Sequence, residues 1–247
     1  MRLLRPGRGP DVEGRVLGLR MVAVDVDGTL TGPDLRLSLE AVSALRRAEE
    51  AGLRVCLVTG NSLPVAYALA RYVGASGPVV AENGGVVYHG GEVWTAAPRE
   101  PALRAAEVLA REMGLRPAFQ NRWRLVDAAL KTGPDFDLEE ARRLVRGLPV
   151  RLMHSGFALH VVHESVDKGV GLREAARRLG ISLEEAAAVG DSETDIPMLR
   201  AVGLPAAVAN APDSLKRVAL LVSEREDGEG VAEILDFILS LRGGRRP

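Results

Sequence analysis

The chain has one cysteine among 247 residues, so it can form no internal disulfide and no cysteine-based zinc site. Long apolar runs are also missing. The longest uncharged, mostly apolar stretch, residues 55–70, is broken by Gly60, Asn61, Ser62 and Pro64. That falls short of the roughly 20 apolar residues a membrane-spanning helix requires. There is no excess of either charge: 32 Lys plus Arg against 33 Asp plus Glu leave a net charge of −1. The charge balance therefore gives no reason to expect nucleic acid or an anionic membrane as a partner. Neither G-x-G-x-x-G nor G-x-x-x-x-G-K-[ST] occurs, which removes the main support for dinucleotide or P-loop binding. Arg2, Arg5 and Arg8 open the chain with no apolar run behind them, unlike a secretory signal. These absences lead to the expectation of a soluble, cytoplasmic protein. Lysine is scarce as well: Lys131, Lys168 and Lys216 are the only lysines among the 32 basic residues.

What is present is close to the average of globular domains, 47% apolar and 26% charged. The length suits one large domain or two small ones. Residues 1–16, rich in Arg, Gly and Pro, read as a flexible extension, and Met21 is an alternative start because it opens the first strand-like run. From there apolar runs alternate with helical spacing: strands at 21–24, 55–58 and 78–81, helices at 39–51 and 63–73. Continuous apolar strands between helices are the signature of a parallel sheet covered on both faces. After Glu82 the rhythm changes. Two short runs flank His89-Gly90-Gly91, a hairpin signal, and are followed by a helix at 102–113. A strand is expected at 122–126, a helix at 138–145 and strands at 150–154 and 158–162. Past Lys168 the parallel rhythm resumes to the end of the chain. The fold class expected is α/β, a Rossmann-like parallel-sheet core with helices on both faces. An α+β cap domain is inserted at 84–155, leaving 17–83 and 156–247 as core.

Ligands of open parallel sheets bind beyond the carboxyl ends of the strands. Those ends read Asp25-Val26-Asp27-Gly28-Thr29, Thr59-Gly60-Asn61 and Gly190-Asp191-Ser192-Glu193-Thr194-Asp195, with Lys168 ahead of a helix that reaches the same rim. Aspartates crowded together repel unless a cation lies among them. An all-oxygen donor set suits a hard ion, so the cluster predicts Mg²⁺ and, with it, a small phosphorylated substrate. Phosphate-monoester hydrolysis is among the slowest uncatalysed reactions, and its catalysis is chiefly positioning and electrostatic stabilisation. An Asp carboxylate can serve as covalent nucleophile, and a second Asp two residues later as acid and then base.

DVDGTL (25–30), TGN (59–61), DKG (167–169) and GDSETD (190–195) resemble, in order, the motifs of the haloacid dehalogenase superfamily of aspartate-nucleophile phosphatases. An insertion between the second and third motifs, with AENGG (81–85) and VANAPDSLK (208–216), resembles the Cof-like branch that carries a large α/β cap. Residues 59–69, NRWR (121–124) and SGFALH before Lys168 are most similar to the archaeal-type phosphoglycolate phosphatases. The resemblance implies Asp25 as nucleophile and metal ligand, and Asp27 as acid/base with its backbone carbonyl on the metal. It implies Thr59 and Lys168 on the phosphoryl group, beside Gly60 and Asn61, and Asp191 and Asp195 on Mg²⁺. Thr194 stands where many relatives have Asn.

The substrate expected is 2-phosphoglycolate, hydrolysed through an aspartyl-phosphate. The alternatives are a sugar-phosphate phosphatase or phosphotransferase of the same superfamily, and a non-catalytic phospholigand-binding protein. Arg122 or Arg124, flanking Trp123, is a candidate partner for a substrate carboxylate. His89, His154, His160 and His163 share no metal spacing and read as structural, and Cys56 reads as a small core residue. The frequency of symmetric pairs among soluble homo-oligomers makes a homodimer the default expectation.

Overall fold

A computed structural model describes residues 12–154 and 158–243. Two sheets organise the described residues. The larger has eight strands in the order β12-β11-β10-β1-β2-β3-β4-β5. Its parallel strands are β1 (Met21–Asp25), β2 (Arg54–Val58), β3 (Val79–Ala81), β10 (Ala186–Gly190), β11 (Leu204–Ala207) and β12 (Leu221–Val222). The hairpin β4 (Val86–His89) and β5 (Glu92–Thr95) extends the sheet antiparallel to β3. The smaller sheet, β6-β7-β9-β8, is antiparallel: β6 (Arg116–Pro117), β7 (Ala128–Lys131), β8 (Val150–His154) and β9 (Ala158–His163).

Strand alternation divides the core into layers. On one face of the large sheet, Val22, Val24, Val55, Leu57 and Val189 pack with helices α1 (Val12–Leu17), α2 (Leu39–Glu50), α3 (Leu63–Val73) and α9 (Asp227–Gly243). On the other, Met21, Ala23, Cys56, Val58 and Ala188 meet α6 (Lys168–Leu179), α7 (Ile196–Ala201) and α8 (Asp213–Lys216). The small sheet buries Ala128, Leu130, Leu152, Leu159 and Val161 against α4 (Glu100–Met113) and α5 (Leu138–Leu144). Local signals set the helix ends. Ser38 Oγ accepts from Ala41 N to start α2, and Gly74 and Gly180, both left-handed, end α3 and α6. Among the described residues no helix is long and apolar enough to cross a membrane.

The expected core of parallel strands with helices on both faces and an additional α+β element is observed. The expected boundaries do not follow the sheets. The hairpin placed in the insertion belongs to the large sheet, because Val86 and Val87 are fully buried there and β3 turns directly into β4. At the other end, β9 pairs with β7 and β8, so the small sheet runs on to His163, past the boundary at 155. Ser155, Gly156 and Phe157 of the SGFALH stretch lie outside the described residues. The strand expected at 122–126 is a 3-10 turn, Phe119–Trp123, and the strand itself begins at Ala128. The cause is Glu82, whose carboxylate accepts from Leu125 N, Val126 N and Asp127 N and withdraws these donors from a ladder. Residues 1–11 of the expected flexible extension lie outside the described residues. Residues 12–16 of it belong to α1, with Val16 fully buried and its carbonyl accepting from Arg242 Nη1 at 3.3 Å.

Candidate active site

Four chain segments converge at the carboxyl edge of the large sheet. β1 ends on Asp25, and the Val26 carbonyl then accepts from Leu30 N at 2.8 Å and Thr31 N at 3.1 Å, closing a tight turn. β2 runs into Thr59-Gly60-Asn61, where Thr59 N bonds to Val80 O at 2.9 Å. α6 begins on Lys168 because the Asp167 side chain caps it, accepting from Val170 N at 2.9 Å. β10 ends at Gly190 and delivers Asp191, with Asp195 a turn later.

Lys168 Nζ lies 2.7 Å from Asp25 Oδ1 and 2.6 Å from Asp195 Oδ1, and all three side chains are buried. Thr29 Oγ1 donates to Asp191 Oδ1 at 2.7 Å. The second oxygen of Asp195 accepts from Asp191 N, Ser192 N and Ser192 Oγ within 3.1 Å, so Asp195 also fixes the loop that carries Asp191. Thr194 Oγ1 contacts Ser192 Oγ at 2.7 Å. Asp27 points elsewhere. Its solvent-exposed carboxylate accepts from Asn61 Nδ2 at 2.8 Å and Thr59 Oγ1 at 3.4 Å.

Carboxylate oxygens of Asp25, Asp191 and Asp195 lie within 4.8 Å of one another. Burial, then the neighbouring Asp195, pushes the Asp25 carboxyl well above the usual carboxylate range; burial first also raises Asp191. Burial alone would lower the Lys168 pKa, but Asp195 and Asp25 outweigh it and hold the ammonium charged. Three carboxylates thus face one cation. Such a deficit in a buried, all-oxygen donor set fits a hard divalent ion.

Gly28 is essential to this packing. Its φ is +83°, and a Cβ there would fall 2.5 Å from Asp191 Oδ2. Gly28→Ala displaces that carboxylate and strains the turn, so kcat is expected to fall about 10-fold or more while the protein loses only about 1–2 kcal/mol of stability. Steady-state kinetics and a urea unfolding curve on the same preparation check both parts.

The cluster opens into a cleft of about 760 Å³ between the large-sheet rim and the small sheet. Asp25, Asp27, Gly60, Asn61, Lys168 and Asp191 line one wall. Thr59 is buried just behind it, against Asp27 and Asn61. A polar web missed in the sequence joins this wall to the small sheet. Arg124 Nη1 donates to Gly60 O at 3.0 Å and Asp127 Oδ1 at 2.6 Å, and His160 Nδ1 lies 3.2 Å from Asp127 Oδ2. Burial acts to raise Asp127, but Arg124 and His160 prevail and hold its carboxyl below the usual range. Gln120 donates to Asn61 Oδ1 at 2.9 Å and accepts from Ser62 N, also at 2.9 Å. The sequence signal for the web is an acidic residue inside an apolar run, Glu82 after 79–81 and Asp127 between Val126 and Ala128.

Of the two arginines expected near a substrate carboxylate, Arg122 lies outside the cleft lining, its guanidinium 5.1 and 5.2 Å from the rings of Phe119 and Trp123. Arg124 is buried and committed to Asp127. The histidines are not all remote from the site, since His154 and His160 both line the cleft. Cys56 lies in the core, and burial pushes its thiol up to about 12, which leaves it unreactive.

The haloacid dehalogenase-like hydrolase family matches residues 22–108 and 148–235 of this chain. The phosphoglycolate phosphatase of Archaeoglobus fulgidus is 41% identical over 225 residues, spanning 90% of this chain and 98% of its own. That of Methanothermobacter thermautotrophicus is 42% identical over 215 residues, spanning 87% and 96%. A crystal structure of a Thermoplasma acidophilum protein, 31% identical, superposes with a TM-score of 0.84 over 90% of this chain and 99% of that one.

Proposed function

The chain belongs to the haloacid dehalogenase-like hydrolase family, and from that premise we propose that it is a Mg²⁺-dependent phosphatase acting on 2-phosphoglycolate through an aspartyl-phosphate. The observation that carries the reading is the buried pairing of Asp25 and Asp195 with Lys168, with the half-buried Asp191 completing the carboxylate cluster, beside an exposed Asp27. The substrate assignment draws on the relatives that bear the name phosphoglycolate phosphatase.

Asp25, Asp191 and Asp195, with the Asp27 carbonyl, would hold a divalent cation, which supplies charge neutralisation between the carboxylates and the phosphoryl oxygens when bound. Lys168 and Thr59, with the Gly60-Asn61 turn, orient the phosphoryl group at the rim. An Asp25 carboxylate oxygen forms a bond to phosphorus as the ester bond to the glycolate oxygen breaks. Asp27 gives its proton to that departing oxygen. A water molecule then attacks phosphorus, Asp27 takes its proton, and the bond between phosphorus and Asp25 breaks to release phosphate. Asp27 suits this exchange because its carboxylate is held by the side chains of Asn61 and Thr59, apart from the three-carboxylate cluster. The small sheet with α4 and α5 acts as a cap that shields the rim from bulk water.

The test is kcat/KM over a panel of phosphate esters with Mg²⁺ present. Phosphoglycolate is expected to exceed sugar phosphates and nucleotides by about 10-fold or more. A sugar phosphate or nucleotide leading the panel would overturn the substrate assignment. Undiminished hydrolysis in excess EDTA would overturn the metal.

A further inference from the structure

The two walls of the cleft differ in chemistry. The large-sheet wall gathers the carboxylates around Lys168. The other wall is one face of the small sheet. Lys131 pairs with Ala158, and Ala129 and Met153 both pair with His160; all five residues line the cleft. The alternate positions Leu130, Leu152, Leu159 and Val161 point the other way, into the core formed with α4 and α5. The face toward the cleft is therefore made of two alanines, a methionine, a histidine and a lysine, with His154 at the end of β8 lining the cleft beside them.

The charges of the cleft are largely answered within the protein. Lys168 is paired with Asp25 and Asp195. Arg124, which also lines the cleft, donates through Nη1 to Asp127 and Gly60 O, and His160 Nδ1 contacts Asp127. Among the described residues the Lys131 side chain has no hydrogen bond or ion pair, and it is exposed at the end of β7. It is one of only three lysines; the other two are engaged, Lys168 in the cluster and Lys216 Nζ on Ala209 O at 2.6 Å. This ammonium lines the same cleft as Asp25 and Lys168, on the wall opposite them.

We propose that Lys131 determines substrate specificity, its ammonium receiving a carboxylate on the leaving group, so that the cleft selects phosphate esters of hydroxy acids over neutral esters. This rests on the phosphatase reading of the same cleft. It moves the recognition of the carboxylate from the arginines flanking Trp123 to the small-sheet wall. A compact ammonium on a flexible stem suits a single charged contact; a planar guanidinium suits a fixed bidentate one.

The experiment compares phosphoglycolate, hydroxyethyl phosphate, which has the same skeleton without the carboxylate, and phosphoethanolamine, which carries a positive charge there. The full chain with Mg²⁺ is used for wild type and for Lys131→Met, Lys131→Arg and Lys131→Glu. Lys131→Met is expected to lower the ratio of kcat/KM for phosphoglycolate to that for hydroxyethyl phosphate by about 10-fold or more, chiefly through KM. Lys131→Arg retains most of the ratio, and Lys131→Glu shifts preference toward phosphoethanolamine. A ratio unchanged in Lys131→Met, or equal losses on all three esters, overturns the proposal. Wild type failing to prefer phosphoglycolate over sugar phosphates contradicts the proposed substrate instead. In that case the proposal about Lys131 is still decided by the response of the ratio to charge removal and reversal.

Discussion

Asp25→Asn abolishes turnover: kcat on phosphoglycolate falls by about 10⁴-fold or more, the scale seen when a covalent nucleophile is removed. The carboxamide has the shape of the carboxylate but cannot form the bond to phosphorus. The substitution is nearly isosteric and does not leave Lys168 alone, because its bond to Asp195 Oδ1 at 2.6 Å remains. It also lowers the number of clustered carboxylates from three to two around one ammonium. Burial and Asp195 already oppose ionisation of Asp25, so the metal-free variant is expected to melt no lower than wild type. Kinetics and a thermal scan in EDTA separate loss of chemistry from loss of fold. Near-normal hydrolysis by the variant would remove Asp25 from the mechanism.

Lys168→Met acts in the opposite way on stability. The substitution keeps the length of the stem and deletes the ammonium, leaving Asp25, Asp191 and Asp195 with no cation among them. Breaking a buried ion pair by removing one partner costs about 3–5 kcal/mol, because the remaining charge stays buried and uncompensated. That loss should appear in urea unfolding in EDTA and be partly reversed by millimolar Mg²⁺, which stabilises the state that binds it. Turnover is expected to be lost as well, since the proposed mechanism has the ammonium orient the phosphoryl group. Equal stability of Lys168→Met and wild type in EDTA would mean that the ammonium does not balance the cluster.

The fold core was legible in the sequence for a physical reason. Parallel strands buried on both faces are continuous apolar runs, and helices between them show their own period and caps. α3 was expected at 63–73 and is observed at Leu63–Val73, ended by a left-handed Gly74. The strand-end motifs were legible because Asp25 ends β1 and Thr59 and Asp191 directly follow β2 and β10, while Lys168 opens a helix and Asp195 lies one turn past Asp191. The structure brings Asp25, Lys168, Asp191 and Asp195 together from three separate segments.

What the sequence concealed depends on contacts distant along the chain. Glu82 takes three backbone donors more than forty residues away, and so moves the next strand from 122–126 to Ala128–Lys131. The hairpin at Val86–Thr95 looks the same in sequence whether it extends the large sheet or begins a new one. Its attachment is decided by the edge of β3. Arg124, Asp127 and His160 come from a turn, a strand boundary and a second strand, with no spacing that marks them as one web. Lys131 belongs to no motif, and only the pairing of β7 with β9 places it on the wall of the cleft.

The central claim is that Asp25 becomes phosphorylated while phosphoglycolate is hydrolysed. Borohydride added during turnover with Mg²⁺ reduces an acyl phosphate to the alcohol, converting a phosphorylated aspartate into homoserine that peptide mass spectrometry locates. The account predicts homoserine at position 25, formed only when substrate is present. Hydrolysis that proceeds with residue 25 unmodified, or homoserine appearing at Asp27 or Asp191 instead, would contradict it.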